Sequence, residues 1–146
     1  MIKVSKKVEY GLTALIHLDT MHADVIVTTC EISSIYDIPE QHLGKVLQKM
    51  ARVGLIASIK GAHGGYRSCK SLAEISLGQL VEVLDGPAKP VHEGEQHAFC
   101  VEFCTCYAKG VMHEIQQYVR RTLYDISLAR LLNREEVTPG KHAEQA

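Results

Sequence analysis

Between Val53 and Arg67 the chain reads Val53-Gly54-Leu55-Ile56-Ala57-Ser58-Ile59-Lys60-Gly61-Ala62-His63-Gly64-Gly65-Tyr66-Arg67, an apolar run that turns at three glycines and returns through an aromatic residue. Leu55, Ile56 and Ile59 predict a short strand against Tyr66, and Gly61, Gly64 and Gly65 allow the positive φ angles of a tight hairpin tip. Lys60 and Arg67 flank a tip that can approach a phosphate backbone closely. A glycine-rich tip with a lysine is also the composition of a nucleotide-binding loop, but neither Walker-type nor dinucleotide-type spacing is present. The segment therefore reads as the wing of a DNA-binding domain.

The residues before the wing agree with that reading. Val4, Val8, Leu12, Leu15 and Ile16 recur at three- and four-residue spacing and predict a core-facing helix to about Met21. Thr28 with Glu31 is a capping box that opens a second, short helix carrying Ile32 and Ile35 inward, with Cys30 beside them as a small core residue. Tyr36-Asp37-Ile38-Pro39 makes a turn, and proline favours the first helical position, so a third helix begins near Pro39. Its apolar face holds Leu43, Val46, Leu47 and Met50; its other face presents Glu40, Gln41, Gly44, Lys45, Gln48 and Lys49. Two short helices joined by a tight turn fit a helix-turn-helix whose second helix enters the major groove, or an ordinary helical hairpin with a solvated face. The wing that follows favours the first.

Ser76 with Gln79 is another capping box, opening a helix through Leu77, Leu80, Val81 and Leu84 that stops at Asp85-Gly86-Pro87. Lys89 to His97 is polar and proline-flanked, the composition of an exposed loop. Val111, Ile115, Tyr118, Val119 and Thr122, widened by Met112 and Leu123, predict a helix from about Ala108 to Tyr124. Such a helix stands outside a small winged-helix core with an apolar face in need of a partner, and the same helix of a second subunit supplies one, as suits palindromic DNA. Ser127 caps a last short helix holding Leu128, Leu131 and Leu132. The expected fold is mainly α with a small β-hairpin wing: a winged helix-turn-helix DNA-binding domain over 1–86, a linker and cysteine-containing loop over 87–107, a long dimerisation helix and short terminal helix over 108–132, and a flexible tail over 133–146.

A chain of 146 residues with 46% apolar residues buries one core. No apolar stretch approaches the roughly 20 residues that span a bilayer, and the N-terminus lacks a signal peptide's apolar region, so a cytoplasmic protein is expected. The net charge of −1 hides an asymmetry: residues 1–72 carry nine Lys/Arg against six Asp/Glu, residues 73–146 seven against eleven. That suits a first half that meets phosphates. No nucleophile-base pair or phosphate loop suggests an enzyme.

These pieces together resemble the Rrf2 family of bacterial transcription regulators, which includes regulators of iron-sulfur cluster assembly and of the nitric oxide response. The resemblance covers about residues 1–132. It rests on Lys6-Lys7-Val8-Glu9-Tyr10-Gly11-Leu12, on the stretch from Ile38 to Met50, on Gly54-Leu55-Ile56 to Gly64-Gly65-Tyr66-Arg67, and on Ile75-Ser76-Leu77 leading to Leu84-Asp85-Gly86, in the family's order and spacing. It implies a homodimeric winged helix on a double-stranded DNA operator. Gln41, Gly44 and Lys45 then fall where the recognition helix meets base edges, Lys60 where a wing arginine enters the minor groove, and Ser5 and Lys6 near the phosphate contacts of the first helix. The family's wing usually reads Gly-Pro-Gly-Gly-Gly-Tyr, whereas this chain has Gly61-Ala62-His63-Gly64-Gly65-Tyr66, so an operator preference does not carry across.

Of five cysteines, Cys100, Cys104 and Cys106 crowd into seven residues. Many family members hold an iron-sulfur cluster with three cysteines before the dimer helix, usually five residues apart. Here the location matches and the spacing does not, although thiolates suit a [2Fe-2S] or [4Fe-4S] cluster and a flexible loop can deliver three of them. The resemblance suggests Glu9, from the first helix of the other subunit, as a fourth ligand; a surface acid paired with a nearby lysine is the plain alternative, and His97 and His113 are rival ligands. A zinc site or a thiol-disulfide switch competes with the cluster. From another class, a small redox or metal-handling protein, or a protein adaptor using the acidic second half, remains a rival to the regulator.

Overall fold

A computed structural model describes residues 4–87 and 102–132, with residues 102–106 as backbone alone. Among these described residues, six helices and one hairpin follow in the order α1 (Lys6–Thr20), α2 (Thr29–Tyr36), α3 (Glu40–Arg52), β1 (Ile56–Ile59), β2 (Gly65–Ser68), α4 (Leu77–Asp85), α5 (Glu102–Asp125) and α6 (Leu128–Leu132). This is the winged-helix arrangement that the sequence predicts.

Local chemistry sets most boundaries. Ser5 caps α1 by accepting from the Val8 amide at 3.3 Å, and its hydroxyl donates to Asp85 at the far end of α4. Both expected capping boxes form, Thr28 with Glu31 on α2 and Ser76 with Gln79 on α4. The turn between α2 and α3 passes through Asp37 at φ +52°, a left-handed conformation that aspartate tolerates better than most residues. Ser33 fixes that turn by donating to the Ile38 carbonyl at 2.6 Å.

The wing pairs β1 and β2 antiparallel, with Ile56 opposite Ser68 and Ser58 opposite Tyr66. Val27 adds a one-residue third strand, its amide and carbonyl both bonded to Tyr66 at 2.8 Å. A Cβ at Gly65 would lie 2.6 Å from the Val27 carbonyl oxygen, so the close approach requires glycine there.

The core is continuous from α1 to α4, with Val8, Leu18, Ile32, Leu43, Leu47, Met50, Ile75, Leu80 and Leu84 at 2% exposure or less. Gly11 lets α4 cross α1: an added Cβ would come within 2.6 Å of Leu84 Cδ1. Gly78 does the same for α5, where a Cβ would meet the Tyr124 ring at 2.5 Å. Beyond α5 the chain turns back, the Leu77 amide donating to the Ile126 carbonyl and the Leu128 amide to the Ile75 carbonyl, and Leu128 enters the core.

Several expectations need correction. Helix α5 starts at Glu102 rather than near Ala108, so Cys104 and Cys106 belong to a helix backbone and not to a loop. No Gly or Pro interrupts residues 102–109, and an acidic first residue suits a helix N-terminus. Cys30 is exposed, because α2 buries Ile32 alone and a residue two positions away lies on the opposite side. Ile35 is 60% exposed, its expected place in the core being taken by Ile38 after the turn. Val4 precedes the α1 cap and is exposed; the inward stripe of α1 runs through Val8, Gly11, Ala14, Leu15 and Leu18, with Leu12 and Ile16 at its edges. In α6 Leu128 is buried while Leu131 and Leu132 are partly exposed.

Candidate nucleic-acid interface

Helix α3 divides cleanly. Leu43, Val46, Leu47 and Met50 seal it to the core, and Glu40, Gln41, Lys45, Gln48 and Lys49 stand in solvent. Lys49 lies at the edge of this face, 3.4 Å from the Leu84 carbonyl, which leaves Gln41, Gly44, Lys45 and Gln48 as the outward stripe. These four and Glu40 line a cleft of about 530 Å³ whose opposite wall is Thr29, the first residue of α2. Gln48 and Thr29 were not assigned from sequence. Gln48 was legible, seven residues after Gln41 and four after Gly44 on one helix face; Thr29 was not, since its place depends on how α2 crosses α3.

Lys60 and His63 are exposed at the wing tip, with Gly61 at φ +121° turning the chain. Arg67 sits half-buried on β2 opposite Ala57. At the start of α1, Lys6 is 74% exposed and donates to Glu9 at 2.7 Å, a contact that raises the lysine pKa. Lys45, Lys60 and Lys6 thus belong to three elements, and the first two stand free in solvent with side chains that can neutralise phosphates.

Glu9 is 56% exposed and engaged with Lys6. Solvent screens an exposed pair of this kind, so a stronger ligand-type contact would displace it readily. His113 is exposed on α5, while Cys100 and His97 lie outside the described residues. Cys104 and Cys106 occupy positions two apart on α5, about 200° around its axis. Among the described residues no group of three His, Cys, Asp or Glu stands close enough to share a metal ion. Cys30 and Cys69 are free and exposed, Cys69 directed at the Gly54 carbonyl at 3.5 Å.

Helix α5 is 24 residues long and exposes Tyr107, Val111, Met112, Ile115 and Tyr118, while Val119, Leu123 and Tyr124 turn toward α4. No helix among the described residues is long and apolar enough to cross a membrane.

Comparison with known proteins agrees with this geometry. Residues 4–134 match the family Rrf2, described as an iron-dependent transcriptional regulator. The HTH-type transcriptional regulator NsrR of Halalkalibacterium halodurans is 30% identical over 139 residues, which is 92% of this chain and 93% of that protein. Among solved structures, CymR, the global cysteine regulator of B. subtilis, superposes with TM-score 0.70 at 27% identity, covering 93% of this chain and all of that one. The IscR of T. potens superposes with TM-score 0.65 at 25% identity, covering 99% and 94%. The outward stripe of α3, the lysine-bearing wing and this match along nearly the whole chain lead to one conclusion: the protein belongs to the Rrf2 family and is a DNA-binding transcriptional regulator, not an enzyme.

Proposed function

We propose that the protein acts as a homodimer on a double-stranded operator, and that Cys100, Cys104 and Cys106 control its affinity by holding an iron-sulfur cluster. In this reading Gln41, Gly44 and Lys45 meet base edges, Lys60 enters the minor groove, and Ser5, Lys6 and Arg67 contact phosphates. The carrying observation is the free polar stripe of α3 beside an exposed wing lysine, both on a family fold whose members bind DNA. The exposed apolar stripe of α5 supports the second subunit, since a helix of this length with no buried side chain on its outer face is stabilised by a partner.

The donor chemistry fits a cluster: three thiolates within seven residues, with Glu9 exposed at the start of α1 and held, among the described residues, by a surface ion pair with Lys6. The backbone adds a condition. Positions 104 and 106 lie about 200° apart around the axis of α5, so binding one cluster through both is expected to open the first turn of the helix. A bound cluster supplies a redox-sensitive, iron-dependent link between the cysteines. What this chain supplies is the route inward: α5 seats on α4 at Gly78 and Tyr124, and α4 seats on α1 at Gly11 and Leu84. A change at the start of α5 thereby bears on the helices that set the spacing of two recognition helices, and half-sites about one turn of DNA apart are sensitive to ångström-scale changes.

The likeness to a cysteine regulator favours a second reading in which no metal is held. Two of the three thiols then close a disulfide, giving two electrons and two protons to an oxidant of the peroxide class. An absorption spectrum with iron and sulfide analysis, on protein purified without oxygen and on Cys104→Ala, separates the two. Charge-transfer bands lost in the variant support the cluster. A colourless, iron-free protein removes it and leaves the thiol switch, or a zinc site that metal analysis would reveal.

A further inference from the structure

Gly11 and Gly78 are dictated by packing, whereas Gly44 is not. A Cβ added at Gly44 would meet only Thr29 Cγ2, at 4.0 Å, an ordinary van der Waals contact. Alanine would fit, and glycine in the middle of a helix is the weaker choice for stability. The missing side chain therefore serves nothing inside the fold; what it does is deepen the cleft between α3 and α2.

At the bottom of that cleft lie the half-buried Gly44 Cα and Thr29 methyl, its apolar part, and around them stand the exposed polar side chains of Gln41, Lys45 and Gln48 with the carboxylate of Glu40. The acid disfavours a phosphate, and a base edge is the better occupant. The major groove offers one apolar group, the C5-methyl of thymine, and its paired adenine presents the N6 and N7 pattern that a glutamine amide recognises. We propose that the cleft receives a thymine methyl, with Thr29 as a specificity-determining residue and Gly44 as the residue whose absent side chain makes room. This rests on the reading that α3 enters the major groove, and it adds which base is read and by what.

The test uses the full-length protein and a duplex that it enriches from a random-sequence pool. Replacing each thymidine in turn by deoxyuridine removes one methyl and nothing else. One replacement in each half-site removes two methyls and is expected to weaken binding about 15-fold, about fourfold for each methyl no longer moved out of water. Thr29→Ser should weaken binding to the thymine duplex and match the wild type on the deoxyuridine duplex. Gly44→Ala should raise Tm by a few degrees, as a Gly to Ala change does in a helix, while lowering affinity tenfold or more. A wild type indifferent to every replacement, a Gly44→Ala variant that binds normally, or one that melts lower overturns the proposal, while continued binding to the selected duplex keeps the DNA interface intact. Failure to enrich any duplex removes both.

Discussion

The winged-helix unit and α5 meet the same requirement, burial of apolar surface, in opposite ways. From Val8 to Leu84 the unit closes a core on itself, with fully buried side chains on each of its helices. Along α5, no side chain described between Tyr107 and Asp125 is buried; the inner edge, from Ile115 through Val119 to Leu123, lines the groove against α4, and the outer stripe of Tyr107, Val111 and Tyr118 faces solvent. The two open helical glycines fit the contrast. Gly44 in α3 and Gly110 in α5 each have room for a side chain, and each lies on a face for which a partner is proposed, DNA for the first and a second subunit for the second. A residue that weakens a helix without helping its own fold points outward.

The largest expected effect breaks the self-contained half. Leu84→Ala removes a side chain 1% exposed at the α1–α4 crossing and should cost about 2–5 kcal/mol, read as a fall in Tm independent of protein concentration. On α5, Val111→Asp should leave the core of the winged-helix unit intact but place a charge in the proposed dimer interface. Sedimentation should then show monomer, and operator affinity should fall by about 100-fold, near 2.7 kcal/mol, as the second half-site is lost. A dimer unchanged by Val111→Asp would put the subunit contact elsewhere. Within the DNA face, Lys60→Ala should reduce the salt slope of binding by about two, as one cation leaves the minor groove of each half-site. An unchanged slope would remove the wing from the interface.

Legibility followed the range of the interaction. The wing, both capping boxes and the α3 stripe rest on residues within a few positions of one another, so their signals are local and were readable. The start of α5 was misplaced because three cysteines suggested a loop, although nothing between Glu102 and Lys109 breaks a helix. Cys30 and Ile35 were misplaced because α2 touches the core along one edge, a fact of how helices cross and not of periodicity within eight residues. The cleft between Thr29 and Gly44 was invisible for the same reason: it is a gap between two helices, and no spacing within either one encodes it.

The two capping boxes allow the finest comparison, since a hydroxyl residue is paired with a carboxylate in one and with a neutral amide in the other. On α2 the Thr28 amide and hydroxyl donate to the Glu31 carboxylate at 2.6 and 2.9 Å, which lowers the carboxyl pKa; on α4 the corresponding acceptor is the neutral amide oxygen of Gln79, bonded to the Ser76 amide at 3.0 Å. A carboxylate whose folded pKa is lowered adds stability that is fully present above its unfolded pKa, about 4.3, and is lost as pH falls through the folded value. The α2 cap should therefore weaken in acid and the α4 cap should not. Because Glu31 is exposed the effect is small, and Glu74, held in the same way by Ser71, titrates in the same direction. Glu31→Gln makes the α2 box chemically like that of α4. Its Tm should sit slightly below the wild type at pH 7, and the gap should close as pH falls below about 4, since protonation removes from the wild type what the substitution has already removed. Equal gaps at both pH values would mean that the charge of Glu31 contributes nothing, and that the two caps hold their helices by hydrogen-bond geometry alone.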